Sequence, residues 1–184
     1  MPNWSVNTVT VTGEPKMLDK IEKTEFDFNR IIPPPQALVD DCEEYCTVCK
    51  TREFIDTKNH SSECKRCGVS GNIGGRIGHM GTDKERYRQL NKTETKLAKS
   101  WRKKYGTDSW YEWNCKYWGT KWNSGEVSMD RIDKNTLKAY FDTAWSPPEP
   151  IFYRLAQDYD VRIDVESDIE GCDDLWRESY GKEV

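Results

Sequence analysis

The chain has 184 residues, 28 Lys+Arg against 32 Asp+Glu, two His and seven Cys, a formal net charge of −4 and a pI near 5.4. No stretch approaches the ~20 apolar residues of a membrane span, the opening MPNWSVNTVTVTG has no charged region leading into an apolar run as a signal peptide does, and the charge excludes a protein that coats nucleic acid through overall basicity. Only 35% of residues are apolar, but eight Trp, nine Tyr and five Phe supply the bulk, each ring burying roughly 150–250 Å².

The first element is a strand, residues 4–12. Val9 and Val11 alternate with Thr8 and Thr10, while Trp4 and Val6 stand in the opposite phase; this predicts a bulge near Asn7 or a strand covered on both faces. After Gly13, Glu14-Pro15 opens a short helix with Met17, Leu18 and Ile21 on its apolar side. Phe26, Phe28 and Ile31 or Ile32 suggest a second strand stopped by Pro33-Pro34-Pro35, and QALVDDCEEY a brief helical piece.

Residues 42–106 read as an insertion: a cysteine-rich module at 42–70, a Gly-rich loop at 71–81 and a basic helix at 82–105. Cys46 and Cys49, then Cys64 and Cys67, form C-x2-C pairs fourteen residues apart. Two residues between thiolates let one tight turn aim both sulfurs at a single ion. Two such turns close a tetrahedron around Zn²⁺ at ~2.3 Å, and the intervening KTREFIDTKNHSSE suits a short hairpin. The expected cofactor is therefore a structural zinc in a zinc-ribbon-like module. A redox dithiol or disulfide framework lacks a surrounding βαβ pattern, and an iron–sulfur cluster remains open with five cysteines nearby. Cys42 or His60 could replace one of the four ligands. GNIGGRIGHMG lacks the GK[ST] ending of a phosphate loop and reads as a linker.

The basic helix opens on a Thr82/Glu85 capping box, carries a Tyr87, Leu90, Leu97, Trp101 stripe and stops at Gly106. Between Asp83 and Lys104 its cations are Lys84, Arg86, Arg88, Lys92 and Lys96, then Lys99, Arg102, Lys103 and Lys104; three carboxylates oppose them, for a net +6. A charged helix is often only a solvated face, but this one is also a candidate contact surface for nucleic acid or an acidic protein.

Beyond it, DSWYEWN reads as one helical turn capped by Asp108. KYWGTKW and TLKAYFDTAW read as two strands, EPIFYRLAQDY as an amphipathic helix, and Val161, Ile163 and Val165 as the inward positions of a final strand. Trp101, Trp110, Trp113, Trp118 and Trp122 read first as packing and second as a stacking platform. From Asp158 to Glu183, ten carboxylates face three cations; a solvated edge fits them better than an acid/base pair. Cys115 and Cys172 read as packed thiols. Without the insertion (1–41 joined to 107–184), strand–helix–strand then strand–helix–strand is the order of an α+β ferredoxin-like sandwich.

The flanks carry MPNW with Asn7 and Gly13, FDFNRIIPPP at 26–35, SWYEWN at 109–114, WGTKWN at 118–123 and FDTAWSPPEPI at 141–151. In these motifs the chain resembles the YubB-like family of small phage- and plasmid-borne proteins. It departs from it at Ser5, where many relatives carry Cys, and in the cysteine-rich insertion. The resemblance implies a ferredoxin-like domain and a mobile-element origin, with no activity to carry over. The expected function is a non-enzymatic accessory protein in the cytoplasm of a bacterial host. It would bind a host protein or protein complex through the insertion, as in counter-defence or host takeover. Direct zinc-dependent nucleic-acid binding is the alternative, and an enzyme using C-terminal carboxylates the least supported reading.

Overall fold

A computed structural model describes residues 3–40 and 92–182, with four short strand segments between them that are described by backbone alone. The elements run β1 (Trp4–Thr12), α1 (Pro15–Glu22), α2 (Phe28–Ile31), α3 (Gln36–Asp40), β2 (Tyr45–Cys46), β3 (Phe54–Asp56), β4 (Ser62–Cys64), β5 (Ile73–Gly74), α4 (Lys92–Tyr105), α5 (Trp110–Tyr117), β6 (Ser128–Asp133), β7 (Thr136–Ala144), α6 (Glu149–Tyr159), β8 (Arg162–Ile169) and β9 (Trp176–Tyr180). The chain divides into two compact units, 1–33 with 114–184, and 34–113.

The first unit is an α+β layer pair built on a five-stranded antiparallel sheet, ordered β6-β7-β1-β8-β9. Its first four strands have the ferredoxin-like arrangement, with β9 added at an edge. In β1 the inward residues are Ser5, Asn7, Val9 and Val11, and the outward ones Trp4, Val6, Thr8 and Thr10. The alternation is unbroken, so the expected bulge or double cover is absent: two polar residues simply occupy core positions. Asn7 is fully buried. Its amide donates to the Ser5 carbonyl at 3.0 Å, the Phe141 carbonyl at 3.1 Å and Thr143 Oγ1 at 2.9 Å, and its Oδ1 accepts from Ser167 Oγ at 2.7 Å. That network removes the penalty an unpartnered buried amide would carry.

The strand expected at 26–32 is a turn followed by the one-turn α2. Phe26 and Phe28 are both fully buried, which in sequence mimics strand alternation. Glu25 and Phe26, however, have φ of 55° and 48°, so the chain reverses there and both rings reach the same core. Phe26 and Phe28 lie 5.3 and 6.1 Å from Phe141, and Phe28 meets Trp118 edge-on at 5.7 Å. Asp27 then caps α2 by accepting from Asn29 N–H.

KYWGTKW is also not a strand. α5 ends at Tyr117, and residues 118–125 form a clasp. Trp118 Nε1 donates to the Ile32 carbonyl (2.8 Å), Asn123 Oδ1 accepts from Phe28 N–H (2.8 Å), and Ser124 Oγ donates to the Phe26 carbonyl (2.9 Å). On the other side, Thr120 Oγ1 donates to the Ala144 carbonyl and Ser146 Oγ to the Gly119 carbonyl, both at 2.7 Å. Gly119 has φ of 79°, and a Cβ there would stand 2.8 Å from Pro150 Cδ. The FDFN, WGTKWN and TAWSPP motifs are therefore three parts of one hydrogen-bonded junction. The actual second strand of the sheet, β6, has the weakly patterned sequence SMDRID.

Helices α1, α2 and α6 cover the inward face. Leu18 and Ile21 of α1 and Ile151, Phe152, Leu155 and Ala156 of α6 are buried. Arg131 of β6 reaches Asp19 and Glu22 of α1 at 2.6 and 3.5 Å. No helix among the described residues is long and apolar enough to cross a membrane.

Candidate functional site

In the unit 34–113, α4 carries the described half of the basic segment. At 3.6 residues per turn, Lys92, Lys96, Lys99 and Lys103 fall on one line about 16 Å long. All four are exposed. The opposite line is Glu94, Ala98, Trp101 and Tyr105, with Ala98 buried and the other three half-buried. The inward stripe thus differs from the expected one: Leu97 is 40% exposed, and Ala98 takes the central position because a methyl allows close approach.

Gly106, at φ 83°, ends the helix with its N–H on the Arg102 carbonyl. Arg102, Lys103 and Lys104 complete the last turn, where cations complement the helix dipole. Arg102 is not on the lysine line; it pairs with the buried Asp108 at 2.9 Å. The Thr107 hydroxyl, at the N-terminal approach to α5, accepts from Ser109 N–H and donates to Glu112. Lys84, Arg86 and Arg88, with the capping box, lie outside the described residues.

Of the cysteine positions, Cys46 is in β2 opposite Ile73 and Cys64 in β4 opposite Phe54. β3 and β4 pair antiparallel as a short hairpin in the interval between the two C-x2-C pairs. Cys49, Cys67, Cys42 and His60 lie outside the described residues. Among the described residues no group of three or more His, Cys, Asp or Glu is placed to hold a metal ion. Cys115 is half-buried and Cys172 exposed, so the latter is not the packed thiol expected.

The C-terminal carboxylates share the outward face of β8. Arg162 donates to Asp164 from Nε and Nη2, and Ser179 Oγ donates to it at 2.6 Å. Partial burial alone would raise the Asp164 pKa, but these bonds and the Arg162 charge outweigh it and hold the carboxyl below its ordinary value. That is the wrong direction for a general acid. Glu166 pairs with Arg177 at 3.2 Å. An open groove of about 430 Å³ over these residues also takes in Thr8, Thr10 and Lys138.

The tryptophans divide. Trp113 and Trp118 are buried, whereas Trp4, Trp122 and Trp145 are 41, 38 and 41% exposed. Trp4 and Trp122 stand 6.2 Å apart, and Lys121 Nζ lies 4.4 Å from the Trp122 ring centroid and 5.3 Å from that of Trp145. The packing role expected first of Trp122 therefore gives way to an aromatic surface, shared with Trp4 and Trp145, around a lysine. Sequence reasoning missed Trp4 as its member, although its odd phase in β1 was the available signal.

Residues 117–176 match the family model described as the ferredoxin-like domain in Api92-like protein. The ferredoxin-like domain implied by the flanking motifs is found in this part of the chain. Among solved structures, protein api92 from Yersinia pseudotuberculosis is similar at 11% identity and a TM-score of 0.48, covering 98% of this chain and 95% of that one. No curated protein matches the chain.

Proposed function

We propose that the protein is a non-enzymatic accessory protein of a phage or plasmid. Its insertion, stapled by zinc on Cys46, Cys49, Cys64 and Cys67, presents a basic surface to an acidic host protein or protein complex in the bacterial cytoplasm. Inhibition of a host defence or processing complex is the role this serves. The observation that carries the reading is the line of Lys92, Lys96, Lys99 and Lys103, directly opposite the inward stripe of α4. Four cations spaced along one face make a continuous positive strip, which complements an acidic partner that meets the helix along its length. The β3–β4 hairpin supports the zinc reading, because a short hairpin between two C-x2-C pairs is what a zinc ribbon requires.

The test is affinity capture from bacterial lysate with the wild-type chain and with Lys92→Glu/Lys96→Glu/Lys99→Glu/Lys103→Glu, each with and without nuclease. An acidic protein retained through nuclease treatment and lost from the reversed variant is the expected result. Zinc-dependent nucleic-acid binding is the second reading, favoured by the same lysines. Capture that disappears with nuclease, and weakens steeply with salt on defined DNA or RNA, would establish it instead. Metal analysis should return about one Zn per chain, and a folded, metal-free chain would refute the zinc site.

A further inference from the structure

In the unit of residues 1–33 and 114–184, helices α1, α2 and α6 cover the inward face of the five-stranded sheet, and the outward face is neither uniform nor neutral. Val6 is 50% exposed, and in register it lies opposite Asp142 of β7 on one side and Asp168 of β8 on the other. Both carboxylates are exposed, and among the described residues neither has an ion-pair partner, unlike Asp164 and Glu166 further along β8. With strands ~4.8 Å apart, the two acids stand roughly 10 Å from each other with an apolar floor between them. Trp4, two residues before Val6 on the same face, closes one end and continues into Trp122. Glu170 adds a third carboxylate, accepting from Trp4 N–H at 3.0 Å. Three indoles at ~40% exposure present roughly 300 Å² of largely apolar surface, at the lower end of the roughly 300–600 Å² of a typical monomer's largest patch, which is often functional.

From this we infer that the Trp4–Val6 end of the outward sheet face is a docking surface for a protein segment that carries an Arg or Lys flanked by apolar residues. The cation is seated over Val6 between Asp142 and Asp168 and against the Trp4 ring, where charge pairing and cation–π attraction act together. The apolar flanks lie on Trp122 and Trp145. Charge complementarity selects this occupant: phosphates would meet Asp142, Asp168 and Glu170 head-on. Lys121 Nζ already lies against Trp122 and Trp145, which leaves Trp4, beside the two carboxylates, as the ring that receives the incoming cation. The patch is smaller than the ~800 Å² per partner of a standard interface, so it serves as the energetic centre of a larger contact. It lies in the unit of residues 1–33 and 114–184 and does not depend on the reading given for α4 or zinc.

The test is selection of a phage-displayed random 12-residue peptide library on the wild-type protein, counter-selected on Asp142→Asn/Asp168→Asn. Synthetic copies of the enriched peptides are then titrated by tryptophan fluorescence. Expected are peptides with Arg or Lys beside Leu, Phe or Trp, whose affinity falls at least tenfold on Asp142→Asn/Asp168→Asn and also on Trp4→Ala, with unchanged thermal melts. Peptides without cations, or equal binding to the variants, overturn the inference. So do oligo(dT) binding that Trp4→Ala abolishes and self-association in sedimentation that the same variant abolishes; those results assign the face to nucleic acid or to a second copy.

Discussion

The two faces of the five-stranded sheet are drawn from the same strands, one residue apart, and obey different physics. The inward face holds Phe141, Leu137, Val9 and Val11 at 0–3% exposure, and even its polar members, Asn7 and Ser167, are locked to each other at 2.7 Å. The outward face holds Tyr140, Asp142, Val6 and Thr8, and its order comes from surface ion pairs such as Arg162–Asp164 and Arg177–Glu166. Position relative to the pleat, not residue type, decides which interactions hold the fold and which are left for recognition. A buried asparagine is structural here, and an exposed tryptophan is not.

Adjacent substitutions in one strand separate the two faces. The largest contrast is Phe141→Ala against Tyr140→Ala. The first empties a site shared with Phe26, Phe28 and Phe152 and should cost about 3–5 kcal/mol in denaturant unfolding, the second under about 1 kcal/mol. Equal losses would mean that the outward face is covered as tightly as the inward one. Next, Asn7→Ala should cost about 2–3 kcal/mol, because Ser167 loses its acceptor and Thr143 one of its two partners in a dry site. Thr8→Ala, one residue on, should stay within about 0.5 kcal/mol.

A pH series sharpens the same contrast at the sheet edge. Partial burial of Tyr180, reinforced by the charges of Glu149 and Glu178, pushes its phenol well above the ordinary value of 10. A raised pKa in the folded state means that stability is intact below pH 10 and declines above it, as the unfolded chain ionises first. Melting temperature should therefore fall between pH 10 and 11.5, and Tyr180→Phe should flatten that limb; an unchanged limb would show that Tyr180 is not responsible. The smallest effect belongs to the outward ion pair. Arg162→Ala should cost under about 1 kcal/mol at neutral pH. Because the Asp164 pKa is lowered in the folded state, its contribution is present above the ordinary carboxylate value and lost as pH falls through the folded one. Melts below pH 4 should then converge for Arg162→Ala and wild type.

Much of the sandwich was legible because its elements carry strong periodicity: Leu18 and Ile21 in α1, Ile151, Phe152 and Leu155 in α6, Ile163 and Val165 in β8. The errors fell where tertiary bonding overrides local pattern. Phe26 and Phe28 imitate a strand, but Asn123, some 95 residues away, captures Phe28 N–H and the turn wins. WGTKWN looks β-like by composition and is a clasp, because its side chains bond to backbone carbonyls on both sides. β6 and β9 went unseen because SMDRID and WRESY gain their strand character from neighbours, not from their own sequence. The lysine line on α4 follows from helical spacing alone. The Trp4 surface does not, since it needs Trp122 and Trp145 brought together by that clasp.

The place of β1 in the middle of the sheet has a consequence for how the protein is made. Asn7 bonds to residues 134 and 160 positions later, so β1 leaves the ribosome long before either of its neighbours. At about 5–20 residues per second, roughly 120 residues of further synthesis leave it without β7 for about 6–25 s. In that window WSVNTVTVT is a β-prone segment with no pairing strand, exposed to chaperones or to stray association. Residues 34–113 emerge during the same interval, before the sheet can close. Delayed closure of this kind makes translation speed through residues 114–144 a determinant of how much chain reaches the native state.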